Sequence, residues 1–132
     1  MQISILTEDS YPKTLNLIRF SDISLNWSDK QIFECFDSNN HIVIGSFDKS
    51  DLVSVAIFSY ILDTSELLYT CVSPNYRNRS IAYGTLKESF TYLLNLNIKD
   101  IFLEVNINNN SAKKLYVNLG FKQINIRKKY YK

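Results

Sequence analysis

Apolar and polar positions recur with two different periods along this chain, and the switches between them predict the order of its elements. Gln2 to Thr7 alternates well enough for a first strand. Asp9 or Ser10 then stands where a helix cap belongs, ahead of Leu15 and Ile18, with Leu17 beside them, on a buried side. A second helix is signalled by Ser28 and Gln31, a capping-box pair, with Trp27 before the cap and Ile32, Phe33 and Phe36 to bury. Three strand-like stretches follow, His41 to Phe47, Leu52 to Ile61 and Glu66 to Val72, and the short polar links between them make neighbours antiparallel. Past Pro74 the period lengthens, placing Ala82, Leu86, Phe90 and Leu93 on one stripe of a helix that runs to about Leu96. Ile101 to Asn106 is a strand again, and the intervening helix makes it parallel to the fourth. Asn109 to Leu119 predicts a last helix, with Ala112, Leu115, Tyr116 and Leu119 on one face and Gly120 as its left-handed stop. Phe121 to about Arg127 supplies a sixth strand. The sum is an α/β (α+β) chain with a mixed central sheet of about six strands flanked by about four helices.

Composition narrows this picture. At 132 residues, with 45% hydrophobic and 21% charged residues, the chain has the make-up of a folded protein rather than a disordered one. No internal repeat appears, and three glycines and two prolines leave no linker, so residues 1–132 read as a single domain. No apolar run approaches the roughly 18 residues of a membrane span, and Met1 to Asp9 lacks the pattern of an export signal. A cytoplasmic protein without a membrane partner is the expectation. Cys35 and Cys71 cannot make a disulfide framework, and no Cys or His pair around the single His41 has metal-ligand spacing, so no metal is expected. The net charge is 15 minus 13, or +2, but Arg127, Lys128, Lys129 and Lys132 leave 11 minus 13, or −2, over residues 1–126. So local a basicity argues against direct nucleic-acid binding.

The order of elements places a switch between the fourth strand and the helix after Pro74, where mixed sheets commonly bind ligands. There the segment Arg77-Asn78-Arg79-Ser80-Ile81-Ala82 leads into a helix N-terminus, which presents unpaired amides and a positive dipole end to an anion such as phosphate. Taken alone, that segment reads as an ordinary strand-to-helix loop. The later residues change its meaning. Leu103-Glu104-Val105, then Asn109, Ala112, Leu115-Tyr116 and Gly120-Phe121, form a pattern similar to the second half of GNAT-fold N-acetyltransferases, which use acetyl-coenzyme A. With Trp27-Ser28, Val72-Ser73-Pro74-Asn75-Tyr76 and the ending Ile126 to Tyr131, the chain most resembles the bacterial ribosomal-protein-alanine N-acetyltransferase branch.

That resemblance implies a GNAT fold whose strands four and five are parallel and splayed, with the pantetheine arm of the cofactor between them. Thr70, Cys71 and Val72 would line the arm, and a backbone amide at Cys71 or Val72 would face the thioester oxygen. Amides from Arg77, Asn78, Arg79, Ser80, Ile81 and Ala82 would hold the pyrophosphate. Asn109 could cap its helix or reach the cofactor arm. Glu104 takes the position of the base, directly or through water, and Tyr116 that of the general acid. Outside the motif, Glu104 would read as a surface strand residue and Tyr116 as a core residue. Cys71 reads as a small apolar strand residue without a basic partner, His41 as a surface turn residue, and Trp27 either as a helix staple or as a border of the acceptor groove. Lys113 and Lys114 stand one turn from the cofactor region.

Two features depart from the family pattern. Ser80 occupies a position usually given to glycine, which adds strain of about 1 kcal/mol wherever a positive φ is required. The family also continues past a Tyr-Tyr pair into a seventh strand, whereas this sequence ends at Lys132, which would leave one groove wall missing and a strand edge for a partner chain, as in a homodimer. The resulting expectation is transfer of acetyl to the N-terminal α-amine of a protein, namely a ribosomal-protein alanine. The alternatives are a small amine or amino sugar as acceptor, or a coenzyme A-binding relic without turnover.

Overall fold

A computed structural model describes residues 1–125 and 129–131. Strands β1 (Gln2–Ile5), β2 (His41–Asp48), β3 (Asp51–Ile61), β4 (Thr64–Val72), β5 (Asp100–Glu104), β6 (Lys122–Asn125) and β7 (Lys129–Tyr131) form one sheet. Their spatial order is β1-β2-β3-β4-β5-β7-β6. Neighbours are antiparallel except β4 and β5, which are parallel as the intervening helix requires. The helices are α1 (Tyr11–Ser21), α2 (Asp29–Glu34), α3 (Ile81–Asn95) and α4 (Asn110–Asn118).

The local signals account for these elements. At α2, Gln31 N–H donates to Ser28 Oγ at 3.1 Å while Ser28 N–H donates to Gln31 Oε1 at 2.7 Å, a reciprocal box that satisfies two end amides. At the end of α4, Gly120 has φ 97°, and Phe121 N–H returns to the Tyr116 carbonyl at 2.9 Å, which closes the helix with a Schellman turn. Within β2 and β3 successive residues are buried on opposite faces. Ile44, Ala56 and Phe58 pack under α3 and α4, whereas Val43, Val55 and Ile57 pack under α1 and α2. A two-sided core of this kind explains why both strands read as nearly continuous apolar runs.

One expectation needs correction, and the end of another falls outside the described residues. Lys129–Tyr131 is itself a seventh strand, so the Tyr-Tyr pair does not precede a missing wall; β7 inserts between β5 and β6 and pairs Phe102 with Tyr131 and Glu104 with Lys129. The sixth strand runs over Lys122–Asn125, and Arg127, which the sequence placed at its end, lies outside the described residues.

Candidate active site

The site begins with a defect in β4. Ile57 pairs with Tyr69 and Phe58 with Leu67, so Leu68 is an extra residue, a bulge that bends the strand. Pairing of β4 with β5 stops at the same level: it runs from Thr64 opposite Asp100 to Leu67 opposite Leu103 and goes no further, although β4 continues to Val72. The two strands part beyond that point, leaving one edge of Leu68 to Val72 open. Ser73 N–H donates to the Val53 carbonyl at 2.8 Å, on the β3 side. By strand alternation the Cys71 amide also turns towards β3, whereas the Thr70 and Val72 amides face the opening. Of the two amides named from sequence, it is therefore Val72's that lies on the open edge.

A cleft of about 610 Å³ occupies the gap, lined among others by Thr70, Cys71, Val72, Arg77 and Asn109. A second cleft of about 650 Å³ is lined by residues that include Val72, Arg77, Asn78, Ser80, Ile81 and Ala82, with Lys114 across from them. The residues common to both, Val72 and Arg77 among them, make one continuous path from the splayed strands to the start of α3.

The loop ending this path has an unusual backbone. Asn78 at φ 63° and Ser80 at φ 59° are both left-handed, and Ser80 is the N-cap of α3 without making a side-chain capping bond. The first-turn amides of α3 consequently keep no capping partner from their own N-cap and point, with the helix dipole, into the cleft. The Ser80 position thus does require the conformation that favours glycine. A hydrogen bond from Tyr76 Oη to Asp48 Oδ2 at 2.8 Å pins the loop to the β2–β3 turn, and the Arg79 guanidinium lies 5.2 Å over the Tyr76 ring, so the Arg79 side chain braces the loop from behind. Arg77 donates to the Val72 carbonyl at 3.3 Å and to the Ser21 carbonyl at 3.0 Å, tying the end of α1 to the end of β4.

Of the remaining site residues, Asn109 borders this path, whereas Tyr116 and Glu104 line neither cleft. Asn109 is an N-cap: its Oδ1 accepts from Ala112 N–H at 3.1 Å, although the residue also lines the cleft. Tyr116 is buried in the core between α4 and the sheet, edge-on to Phe121, and its hydroxyl has no hydrogen-bond partner among the described residues. Burial raises its pKa above the ordinary phenol value. Glu104 lies not in the cleft but in a separate depression of about 310 Å³ on the sheet, together with Glu66 and Phe102. Cys71 is pushed up to about 11, chiefly by burial, which keeps it a thiol and disfavours acyl transfer to its sulfur. His41 stays outside the site, with its Nδ1 2.8 Å from Ser38 Oγ.

Sequence periodicity gave no reason to single out Ser21, Asp22 and Tyr69. They border the α1 end of the gap: Ser21 and Asp22 line it, and Tyr69 Oη donates to Asp22 Oδ2 at 3.2 Å. Trp27 packs against Tyr69 with ring centroids 5.7 Å apart, which places it beside this end of the site. Among the described residues there is no group of three or more His, Cys, Asp or Glu that could hold a metal, and no helix long and apolar enough to cross a membrane.

A family model described as the acetyltransferase (GNAT) family matches residues 4–121. The chain belongs to this family. Among curated relatives, the [ribosomal protein bS18]-alanine N-acetyltransferase of Haemophilus ducreyi is 33% identical over 84 residues, which cover 64% of this chain and 58% of that protein. The match thus spans less than two thirds of that relative's length. Among solved structures, the ribosomal-protein-S18-alanine N-acetyltransferase from Escherichia coli superposes with a TM-score of 0.87 at 21% identity, over 98% of this chain and 88% of the other. The PaiA N-acetyltransferase from Thermoplasma acidophilum, solved in complex with coenzyme A, gives a TM-score of 0.82 at 20% identity, over 99% and 97% of the two chains. These structural likenesses establish the GNAT fold.

Proposed function

We propose that this protein is an acetyl-coenzyme A-dependent N-acetyltransferase whose acceptor is the N-terminal α-amine of a protein, an alanine of a ribosomal protein. The observation that carries the reading is the open edge of β4 beyond the Leu68 bulge, continuous with the left-handed loop at the start of α3. A thin, polar-backboned arm fits the gap, since the Thr70 and Val72 amides on the open edge offer it strand-like hydrogen bonds. The amides between Arg77 and Ala82 and the Lys114 side chain suit a pyrophosphate. The names of the curated relatives support the choice of acceptor.

In this reading the chain's residues divide the work as follows. The Val72 amide donates to the thioester oxygen and stabilises the negative charge that forms when the amine attacks, an effect worth up to about 3 kcal/mol for one donor. Glu104, in its depression on the sheet, receives the acceptor's proton through water. Tyr116 supplies a proton to the departing thiolate. Its unpartnered hydroxyl, held neutral by burial, is suited to an acid and not to a base. Glu104 takes the first proton so that the neutral amine can attack; the N–C bond of the new amide then forms as the C–S bond breaks, Tyr116 gives its proton to the thiolate, and the second proton shed by the nitrogen restores Tyr116. An α-amine, with a pKa of about 8 against about 10.4 for lysine, needs only a carboxylate base of modest strength.

Thiol release with an alanine-initiated ribosomal peptide and acetyl-coenzyme A tests this directly. Turnover above background that is stopped by N-terminal blocking of the peptide is the expected result. Cofactor binding without turnover on that peptide would remove the acceptor assignment, and absence of cofactor binding would remove the enzyme.

A further inference from the structure

The α1 end of the cleft carries a carboxylate for which no other part of the structure accounts. Asp22 follows the last residue of α1, is half-buried, and lines the same gap as Thr70 to Val72. Both its oxygens are held in place, Oδ1 by Ser24 Oγ at 2.8 Å and Oδ2 by Tyr69 Oη at 3.2 Å. Among the described residues no cation forms an ion pair with it: the pair found there is Arg19 with Asp29, and the Arg77 guanidinium is taken up by the Ser21 and Val72 carbonyls.

An oriented carboxylate without an ion-pair partner thus stands on one wall of the gap. Such a wall has the chemistry of a site for a primary ammonium, which brings three N–H donors and one positive charge. We infer that Asp22 captures the acceptor's amino group in its ammonium form before the proton is lost, and so selects acceptors that carry a free amine. This rests on the acetyl-transfer reading for the identity of the guest, but the site itself can be probed without turnover.

The test uses alaninamide as the probe, titrated into the full-length protein with and without bound coenzyme A and followed by NMR. N-acetylalaninamide, which has no ammonium, serves as the neutral control. Wild-type protein is expected to bind alaninamide and not the control, and Asp22→Asn, which retains the shape, is expected to weaken alaninamide binding about tenfold. Coenzyme A affinity should stay within a factor of two, which also reports that the variant is folded. In turnover, Asp22→Asn should raise the KM for the amine and leave the KM for acetyl-coenzyme A unchanged. Equal binding of alaninamide by wild type and Asp22→Asn, or equal binding of alaninamide and its acetylated form by wild type, would overturn the inference. Should Asp22→Asn lose coenzyme A binding, the wild-type comparison of the two probes decides alone. Failure of thiol release while alaninamide still binds through Asp22 would instead count against the proposed reaction.

Discussion

Two strand-to-helix junctions face the same cleft and end differently. Where β5 leads into α4, Asn109 caps the helix with its own side chain, and Asn106 Oδ1 accepts from Asn108 N–H at 2.9 Å, so the turn supplies its own partners. Where β4 leads into α3, the N-cap Ser80 makes no capping bond, and two residues, Asn78 and Ser80, hold positive φ. The first junction is arranged for stability. The second carries strain and leaves its amides available, a combination that persists when something other than the chain itself profits from it. In the proposed reading α3 binds with its N-terminus, while α4 contributes a side chain two turns further on, Tyr116.

The largest expected effect tests that division on the α4 side. Tyr116→Phe should lower kcat about 100-fold, within the range for a lost general acid, with coenzyme A affinity unchanged. Because burial raises the Tyr116 pKa, the hydroxyl keeps its proton through the ordinary phenol range, and the alkaline limb of the wild-type kcat profile should not fall until above about 10. Equal losses in kcat and cofactor affinity would make Tyr116 a packing residue and erase the contrast between the helices.

Next in size is Asn109→Ala. Loss of the cap should cost about 1 kcal/mol of folding stability, read as a fall of a few degrees in Tm, while the coenzyme A Kd changes less than twofold. A large loss of affinity with little change in Tm would move Asn109 from the structural junction to the binding one, the choice that sequence left open.

How much of this was legible beforehand follows from the range of the interactions involved. The capping box at Ser28 and the Gly120 stop are local devices, written within a few residues, and both elements form where they predict. The parallel pairing of β4 and β5 followed from the intervening helix. By contrast, the bulge at Leu68 sits in the apolar run Leu67-Leu68-Tyr69, where nothing marks which residue will be skipped; that is set by register against β3. The strand Lys129–Tyr131 is too short for alternation to show and is defined by its place between β5 and β6. Asp22 carries no periodic signal at all, because its importance comes from Tyr69, distant in sequence and adjacent in the fold. The roles of Glu104 and Tyr116 rested on resemblance rather than on pattern.

The smallest expected effect lies at Ser80 and sharpens the contrast most finely. Replacing Ser80 with Gly removes a left-handed serine, whose strain is about 1 kcal/mol, but frees the unfolded chain by about 0.4–1 kcal/mol, so the two nearly cancel and Tm should barely move. The binding effect has no such cancellation, because both free and bound proteins are folded. Removing Cβ lets phosphate oxygens approach the amides more closely, and the coenzyme A Kd should fall several-fold. Ser80→Ala keeps Cβ and the strain but loses the hydroxyl, so it separates crowding from hydrogen bonding. If Ala weakens binding and Gly does not strengthen it, the Ser80 hydroxyl is itself a phosphate ligand, and the side chain compensates in the complex for the capping bond it does not make in the helix.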